Sequence, residues 1–182
     1  MRPGTGEGYE ACAVAGTGPH EVGLVGAGTG ATVGKWRGRN EASPGGIGAA
    51  TIRSGALIVS TLVVVNAFGM IDDGTSTDDL GPPAFADAER DAFTNTTIGV
   101  IATNAVVSKL DCLRLAQSGH DGLARALLPA HTDADGDALV AVGTGSVIAN
   151  PWHLRLLAQQ AVTRAVRSVG GPVVGFRSDR HP

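Results

Sequence analysis

The chain has 182 residues, 43% hydrophobic and 17% charged, which is enough apolar material for one folded domain and excludes disorder along its whole length. Its net charge of −3 shows no basic excess, so neither nucleic acid nor an anionic membrane surface is expected as the main partner. The 27 glycines, against only 4% aromatic residues, indicate many tight turns and close backbone approaches.

The amino-terminal third of the chain is rich in glycine. A short helix is predicted at residues 9–15, and an apolar strand then breaks into a glycine loop that ends near Lys35. Two further strands are predicted at residues 47–53 and 55–66, because valine and other β-branched residues dominate there. The chain is expected to turn between these two strands, near Ser54.

Residues 70–95 differ in character, since aspartates and a Pro-Pro pair interrupt the apolar pattern. No regular period fits them, so this stretch is predicted to be an exposed acidic linker. The remainder alternates strand and helix patterns: strand 97–103, helix 106–118, a shorter helix within 120–132 that Pro129 stops, strand 138–145, and a helix from Pro151 that Asn150 caps and Gly170 ends. This order predicts an α+β fold with helices outside packed sheets.

The glycine loop invites a nucleotide-binding interpretation. Gly26, Gly28 and Ala31 satisfy the loose dinucleotide fingerprint, but no acidic residue follows at residues 46–50 to bind a ribose. A phosphate-binding P-loop would need Ser or Thr where Trp36 stands. Loops of this kind also occur for purely steric reasons, so we expect no nucleotide cofactor.

Metal sites and export signals find no support either. Cys12 and Cys112 lie outside any CxxC pair, and the spacing of His120, His131 and the acidic residues 133–137 fits no standard zinc or calcium site. The sequence shows no signal-peptide pattern, and its most apolar run is too short to cross a bilayer. A cytoplasmic protein without metal, cofactor or membrane contact is therefore expected.

Several short segments carry a family resemblance through their common order. They are GAGTGATVGKW (26–36), PGGIG (44–48), LVVVNAFG (62–69), NTTIGVIATNA (95–105), HDGLARALLPAHT (120–132) and DGD (135–137). No single segment is decisive, but the ordered set is specific. On these segments the chain resembles the DmpA-type L-aminopeptidase/D-esterase family, together with the β-peptidyl aminopeptidases and the nylon-oligomer hydrolases.

The resemblance implies a layered αββα sandwich of the self-cleaving N-terminal-nucleophile type. It also implies a precursor that cuts itself before a Ser or Thr, and the matching bond here is Asn95–Thr96. Residues 1–95 would then end the amino-terminal subunit, and residues 96–182 would form the carboxy-terminal subunit. The implied activity is hydrolysis of amide bonds in small peptides, amino-acid amides or related oligomers.

Five side chains match site positions of the family: Thr96, Lys35, Asn66, Asp135 and Asp137. The α-amine that cleavage would free on Thr96 has a reference pKa of about 7.7–8.0 and can take the proton of the nucleophilic hydroxyl. A cation at Lys35 would favour the neutral amine, and the amide of Asn66 would donate to an oxyanion. The acidic pair, spaced to face one side of an extended backbone, would position the nucleophile.

Precursors of this family are about twice as long, so this chain is expected to lack their amino-terminal portion. A complementing amino-terminal half or a homo-oligomer is the expected partner besides the substrate. Two alternatives stay open: a catalytically inactive remnant or interaction module, and an acyltransferase resembling the ornithine acetyltransferases. Four further matching residues are expected to have structural roles: His120, Asp121, Arg125 and His131.

Overall fold

The structure, a computed structural model, describes residues 4–18, 20–75 and 95–169. The elements in chain order are α1 (Thr5–Ala13), β1 (Thr32–Val33), β2 (Ser43–Pro44), β3 (Gly46–Ser54), β4 (Leu57–Asn66), β5 (Met70–Ile71), β6 (Thr96–Ala105), α2 (Lys109–Ala124), β7 (Leu127–Leu128), β8 (Ala138–Val147) and α3 (Pro151–Arg167). Most of the predicted acidic linker, as well as Gly170, lies outside these residues.

The main sheet has four strands in the order β3-β4-β6-β8. Strands β3, β4 and β6 pair in antiparallel fashion, whereas β6 and β8 run parallel. Strand β6 is thus flanked on both sides. Two short antiparallel pairs, β1 with β2 and β5 with β7, complete the sheet structure of the described residues.

Alternation along the strands gives the main sheet two different faces. One face is covered by α2 and α3, and its side chains form the core, where Val63, Val65 and Ile101 are fully buried. The opposite face is bare among the described residues. Four of its large apolar side chains are exposed, from 36% at Leu62 to 60% at Val140.

The predicted break between two helices after residue 118 was wrong, because α2 continues as one helix to Ala124. Two glycines of α2 allow close packing of this continuous helix. A Cβ atom at Gly122 would lie 2.5 Å from the carbonyl oxygen of Gln159 in α3, and one at Gly119 would lie 2.5 Å from Cδ1 of Ile101. Tertiary contact therefore outweighs the low helix propensity of glycine here.

Other predictions from the sequence agree with the structure to within a few residues. The strands β3, β4, β6 and β8 lie where the apolar runs predicted them. Asn150 caps α3, since its Oδ1 accepts hydrogen bonds from the backbone N–H groups of Trp152 and His153. The apolar segment before the glycine loop is not a strand. It contributes only an isolated bridge from Gly23 to Ile47.

In the ranges that the structure describes, none of the helices combines the length and apolar character needed to cross a lipid bilayer.

Candidate active site

Thr96 is the first residue of β6 and lies directly opposite Asn66, the last residue of β4. Directly paired residues of neighbouring strands share a face, so both side chains belong to the bare face of the main sheet. The next residue, Thr97, is fully buried on the helix-covered face, and its Oγ1 has no hydrogen-bond partner in the described part of the chain. The alternation of β6 thus separates the two adjacent threonines.

The peptide bond between Asn95 and Thr96 is held in an extended arrangement. The carbonyl oxygen of Asn95 accepts a hydrogen bond from Thr96 Oγ1 at 2.6 Å and another from the backbone N–H of Gly136 at 2.9 Å. The side-chain Nδ2 of Asn95 donates to the carbonyl oxygen of Ala134 at 3.2 Å. An isolated parallel bridge from Asn95 to Asp135 extends the β6–β8 pairing backwards past the start of both strands.

Asp137 is a buried carboxylate that contacts Thr97 and His131. Its Oδ1 accepts a hydrogen bond from the backbone N–H of Thr97 at 2.7 Å, and its Oδ2 lies 2.9 Å from Nδ1 of His131. The Asp137 side chain is only 4% exposed. His131 has a positive φ of 55°, and its Nε2 lies 3.2 Å from the carbonyl oxygen of His120.

Asp135 makes contacts different from those of Asp137. Its Oδ1 accepts a hydrogen bond from the backbone N–H of Phe68 at 3.0 Å. Its Oδ2 accepts from the backbone N–H and the hydroxyl of Thr132, at 3.1 Å and 2.7 Å. Asp135 therefore ties the loop before β8 to the residues after β4, while Asp137 contacts β6.

Lys35 and Asn66 form a second group beside Thr96. The Lys35 ammonium donates to the carbonyl oxygen of Thr32 at 2.9 Å, to the carbonyl oxygen of Asn66 at 3.2 Å and to Oδ1 of Asn66 at 2.9 Å. Oδ1 of Asn66 also accepts from the backbone N–H of Thr32 at 3.0 Å. These donors fix the orientation of the amide, so Nδ2 is the end with which Asn66 donates.

The ammonium group of Lys35 is partly removed from water. This burial, reinforced by Arg39 and opposed by the nearby Asp135 carboxylate, lowers the pKa of Lys35 to about 8. Burial, reinforced by His131, also lowers the pKa of His120, whose ring centroid lies 5.1 Å from that of His131. The pKa of Lys35 is thus well below the ordinary value for a lysine.

The structure brings the predicted residues Thr96, Asn66 and Lys35 together, and Asp137, just before β8, contacts the next residue of β6, Thr97. Asp135 lies in the same loop and contacts Phe68 and Thr132. Sequence reasoning missed Gly136 and Ala134, the residues that contact Asn95. The signal for Gly136 was the glycine between the two aspartates of DGD, which the sequence also allows as an ordinary turn.

Within the described ranges, no group of three or more His, Cys, Asp or Glu side chains is arranged to hold a metal ion. A cavity of about 440 Å³ lies at the opposite end of β6, lined by residues such as Val106, Arg114 and Trp152. It does not include any of the predicted site residues.

The sequence of the chain matches a family profile and several known proteins. A sequence profile of Peptidase family S58 matches residues 3–171. An uncharacterized aminopeptidase of Mycobacterium bovis is 41% identical over 196 residues, covering 93% of this chain and 53% of that protein. A 6-aminohexanoate-oligomer endohydrolase of Agromyces sp. is 34% identical over 145 residues, covering 69% of this chain and 40% of that protein.

Solved structures agree with the α+β class predicted from the sequence. A β-aminopeptidase of Burkholderia sp. superposes with a TM-score of 0.63 and 27% identity over 87% of this chain and 48% of its own. An L-aminopeptidase D-Ala-esterase/amidase of Ochrobactrum anthropi, described as a variant of the Ntn-hydrolase fold, gives a TM-score of 0.60 at 21% identity, over 87% of this chain and 47% of its own. The fold is therefore that of the Ntn hydrolases.

The chain spans about half the length of the curated relatives first matched. Its match to the family profile nevertheless runs through the whole main sheet, both covering helices and the residues around Thr96. The order of motifs, the layered fold and the sequence match lead to one conclusion: the chain belongs to Peptidase family S58.

Proposed function

We propose that this chain carries the nucleophile of a self-processing amidohydrolase, with Thr96 cutting the bond that precedes it. The observation that carries the proposal is the 2.6 Å hydrogen bond from Thr96 Oγ1 to the carbonyl oxygen of Asn95. It brings the hydroxyl next to the carbonyl group that it would attack. Strand β6 and the bridge from Asn95 to Asp135 hold this peptide bond in an extended backbone, and the Thr96 side chain stays partly exposed.

The proposed cut follows the N-to-O acyl shift. Thr96 Oγ1 forms a bond to the carbonyl carbon of Asn95, and the π electrons of the carbonyl move to its oxygen. When this intermediate collapses, the carbon–nitrogen bond breaks, and the hydroxyl proton ends on the nitrogen of Thr96. Water then hydrolyses the resulting ester, which gives a carboxylate on Asn95 and returns the hydroxyl to Thr96.

In the processed protein, the same hydroxyl would attack an amide substrate. The freed α-amine of Thr96 would accept the hydroxyl proton, since its reference pKa of about 7.7–8.0 suits a base at neutral pH. Nδ2 of Asn66 would donate to the substrate oxyanion, because Lys35 and Thr32 hold the other end of that amide. The charge of Lys35 would favour the neutral form of the neighbouring amine.

The substrate class follows from this chemistry and from the names of the relatives. A nucleophile with an amine base serves acyl transfer to water from a small amide. The relatives are named aminopeptidase and 6-aminohexanoate-oligomer endohydrolase, and both names refer to such bonds. Hydrolysis of small peptides, amino-acid amides or ω-amino-acid oligomers is therefore the proposed activity.

A partner segment belongs to this proposal. The bare face of the main sheet exposes Leu62, Ile98, Val140 and Val142 next to the nucleophile. An apolar sheet face of this kind normally packs against another layer. Since the relatives are about twice as long, a complementing amino-terminal half or a second copy of the chain is the proposed cover.

Intact-mass spectrometry of the purified chain tests the proposal. We expect a fragment that begins at Thr96 and a complementary fragment that ends at Asn95. The matched sample is the same chain mixed with the amino-terminal part of the Mycobacterium bovis relative, which supplies a cover for the sheet. A chain that stays uncut in both samples would contradict the proposal and favour an inactive remnant. Transfer of an acyl group to an amine acceptor, in preference to water, would favour the acyltransferase alternative.

The rate at which the processed chain hydrolyses a small amide is expected to fall as the pH rises through about 8. Lys35 has a pKa of about 8, and its neutral amine has two hydrogens for the three oxygen atoms that the ammonium contacts, two of which belong to Asn66, the proposed oxyanion donor for the substrate. The α-amine of Thr96 becomes more basic in form as the pH rises, because a larger fraction of it is neutral, so it does not cause a fall. Rates measured from about pH 6 to about pH 10 give the profile, with Lys35→Arg as the control that stays charged throughout. The same fall in Lys35→Arg would assign the titration to another group.

A further inference from the structure

We propose that the backbone N–H of Gly136 is the oxyanion donor for self-cleavage, distinct from the Asn66 amide assigned to substrate turnover. This inference rests on the proposed self-cleavage at Asn95–Thr96 and names the group that acts on its carbonyl oxygen. The N–H donates to that oxygen at 2.9 Å, while the attacking hydroxyl lies 2.6 Å from the same atom. Nucleophile and donor thus converge on one carbonyl before any bond has changed.

The charge that develops during the attack falls on the atom that this N–H already contacts. As Oγ1 of Thr96 bonds to the carbonyl carbon of Asn95, the π electrons move to the carbonyl oxygen. A donor aimed at that oxygen in advance stabilises the negative charge without reorganising. The hydrogen bond of Gly136 therefore strengthens along the reaction, which lowers the barrier more than it stabilises the starting chain.

The loop that presents Gly136 is fixed on both sides. Asp135 accepts hydrogen bonds from the backbone N–H of Phe68 and from Thr132, which anchors the loop to the residues after β4. Ala134 accepts a hydrogen bond from the side chain of Asn95 itself. The residue whose carbonyl is to be attacked is thereby held by its main chain and by its side chain against the same loop.

Position 136 also has a steric reason to be glycine. A Cβ atom there would lie 2.9 Å from Oγ1 of Thr96 and 3.7 Å from the carbonyl oxygen of Asn95. Any side chain would therefore crowd the nucleophile at the point of attack. The glycine allows the backbone donor and the hydroxyl to share the carbonyl group, so the acidic pair of DGD frames a functional main-chain group.

A single-atom change tests the donor. In vitro translation with glycolic acid at position 136 replaces the N–H by an ester oxygen and leaves the loop without a new side chain. We expect the fragment that begins at Thr96 to form about 100- to 1,000-fold more slowly than from the same translation with glycine. A rate within about threefold of the glycine chain would overturn the inference, because one oxyanion donor is worth more than that.

A second measurement does not depend on cleavage. In the Thr96→Ala chain, which lacks the nucleophile, we expect NMR to detect a scalar coupling across the hydrogen bond, between the Gly136 nitrogen and the Asn95 carbonyl carbon. Its presence supports the assigned donor, and its absence overturns the inference. If the unaltered chain stays uncut although the Thr96→Ala chain shows this coupling, the proposed self-cleavage fails. The hydrogen bond from Gly136 to Asn95 is then still supported.

Discussion

Replacing Thr96 by alanine is expected to leave the chain uncut, whereas the Thr97→Ala chain still separates at Asn95–Thr96. Thr96 carries the only hydroxyl that contacts the carbonyl oxygen of Asn95 among the hydrogen bonds of the described residues. Thr97 points to the opposite face of the sheet, where its side chain is fully buried. Loss of a covalent nucleophile lowers the rate by several orders of magnitude, so no fragment should appear during long incubation.

Mass spectrometry of the unaltered, Thr96→Ala and Thr97→Ala chains after equal incubation provides the measurement. Thr96→Ser is the matched control, because serine keeps a hydroxyl at the same position and should still give the fragment. Circular dichroism shows whether each variant is folded, which matters most for Thr97→Ala at its buried position. An uncut Thr97→Ala chain, together with a cleaved Thr96→Ala chain, would move the nucleophile by one residue.

The Gly48→Ala variant is expected to lose about 3 kcal/mol of stability, the upper end of the usual cost of overpacking, because the nearest atom that the added Cβ meets belongs to backbone. Gly48 lies in β3 beneath α3, and a Cβ atom there would sit 2.0 Å from the carbonyl oxygen of Ala165 and 2.8 Å from Cγ2 of Val169. The first contact is with helix backbone, so the whole helix would have to shift. A loss of this size corresponds to a melting temperature lower by roughly 6–12 °C in a domain of this length.

Thermal unfolding followed by circular dichroism compares this variant with Gly8→Ala. Gly8 lies in α1, where an added Cβ atom meets nothing within 4 Å and no residue of the helix is buried. Its substitution should leave the main transition unchanged, since α1 contributes nothing to the core. A Gly48→Ala chain that melts within about 2 °C of the unaltered chain would show that α3 can move away from β3 at little cost.

Much of the sheet could be predicted from the sequence, because strands such as β4 combine β-branched residues with a long apolar run. The cap of α3 could be predicted as well, since Asn150 and Pro151 act through local hydrogen bonding and fixed backbone geometry. That α2 is one continuous helix could not be predicted. Its glycines weaken a helix locally, and the reason for their presence lies in the packing of α2 against β6 and α3, which a local pattern does not record.

The candidate site could also be predicted only in part. A resemblance to a family could point to side chains such as Thr96 and Lys35, because side chains are what a motif records. The role proposed for Gly136 depends on a main-chain N–H, and every residue except proline has one. Its position against Asn95 arises only when β6 and β8 lie side by side in parallel.

The flanked position of β6 bears on what the chain would do after a cut. A new chain end usually frays, because little holds its last residues. Here the freed end would be Thr96, which pairs with Asn66, while Thr97 is held by the Asp137 carboxylate. The strand therefore keeps its anchors on both sides when the covalent link before it is lost. After the cut, the first residue of the new subunit would already lie where it is proposed to act, with almost no ordering entropy left to lose.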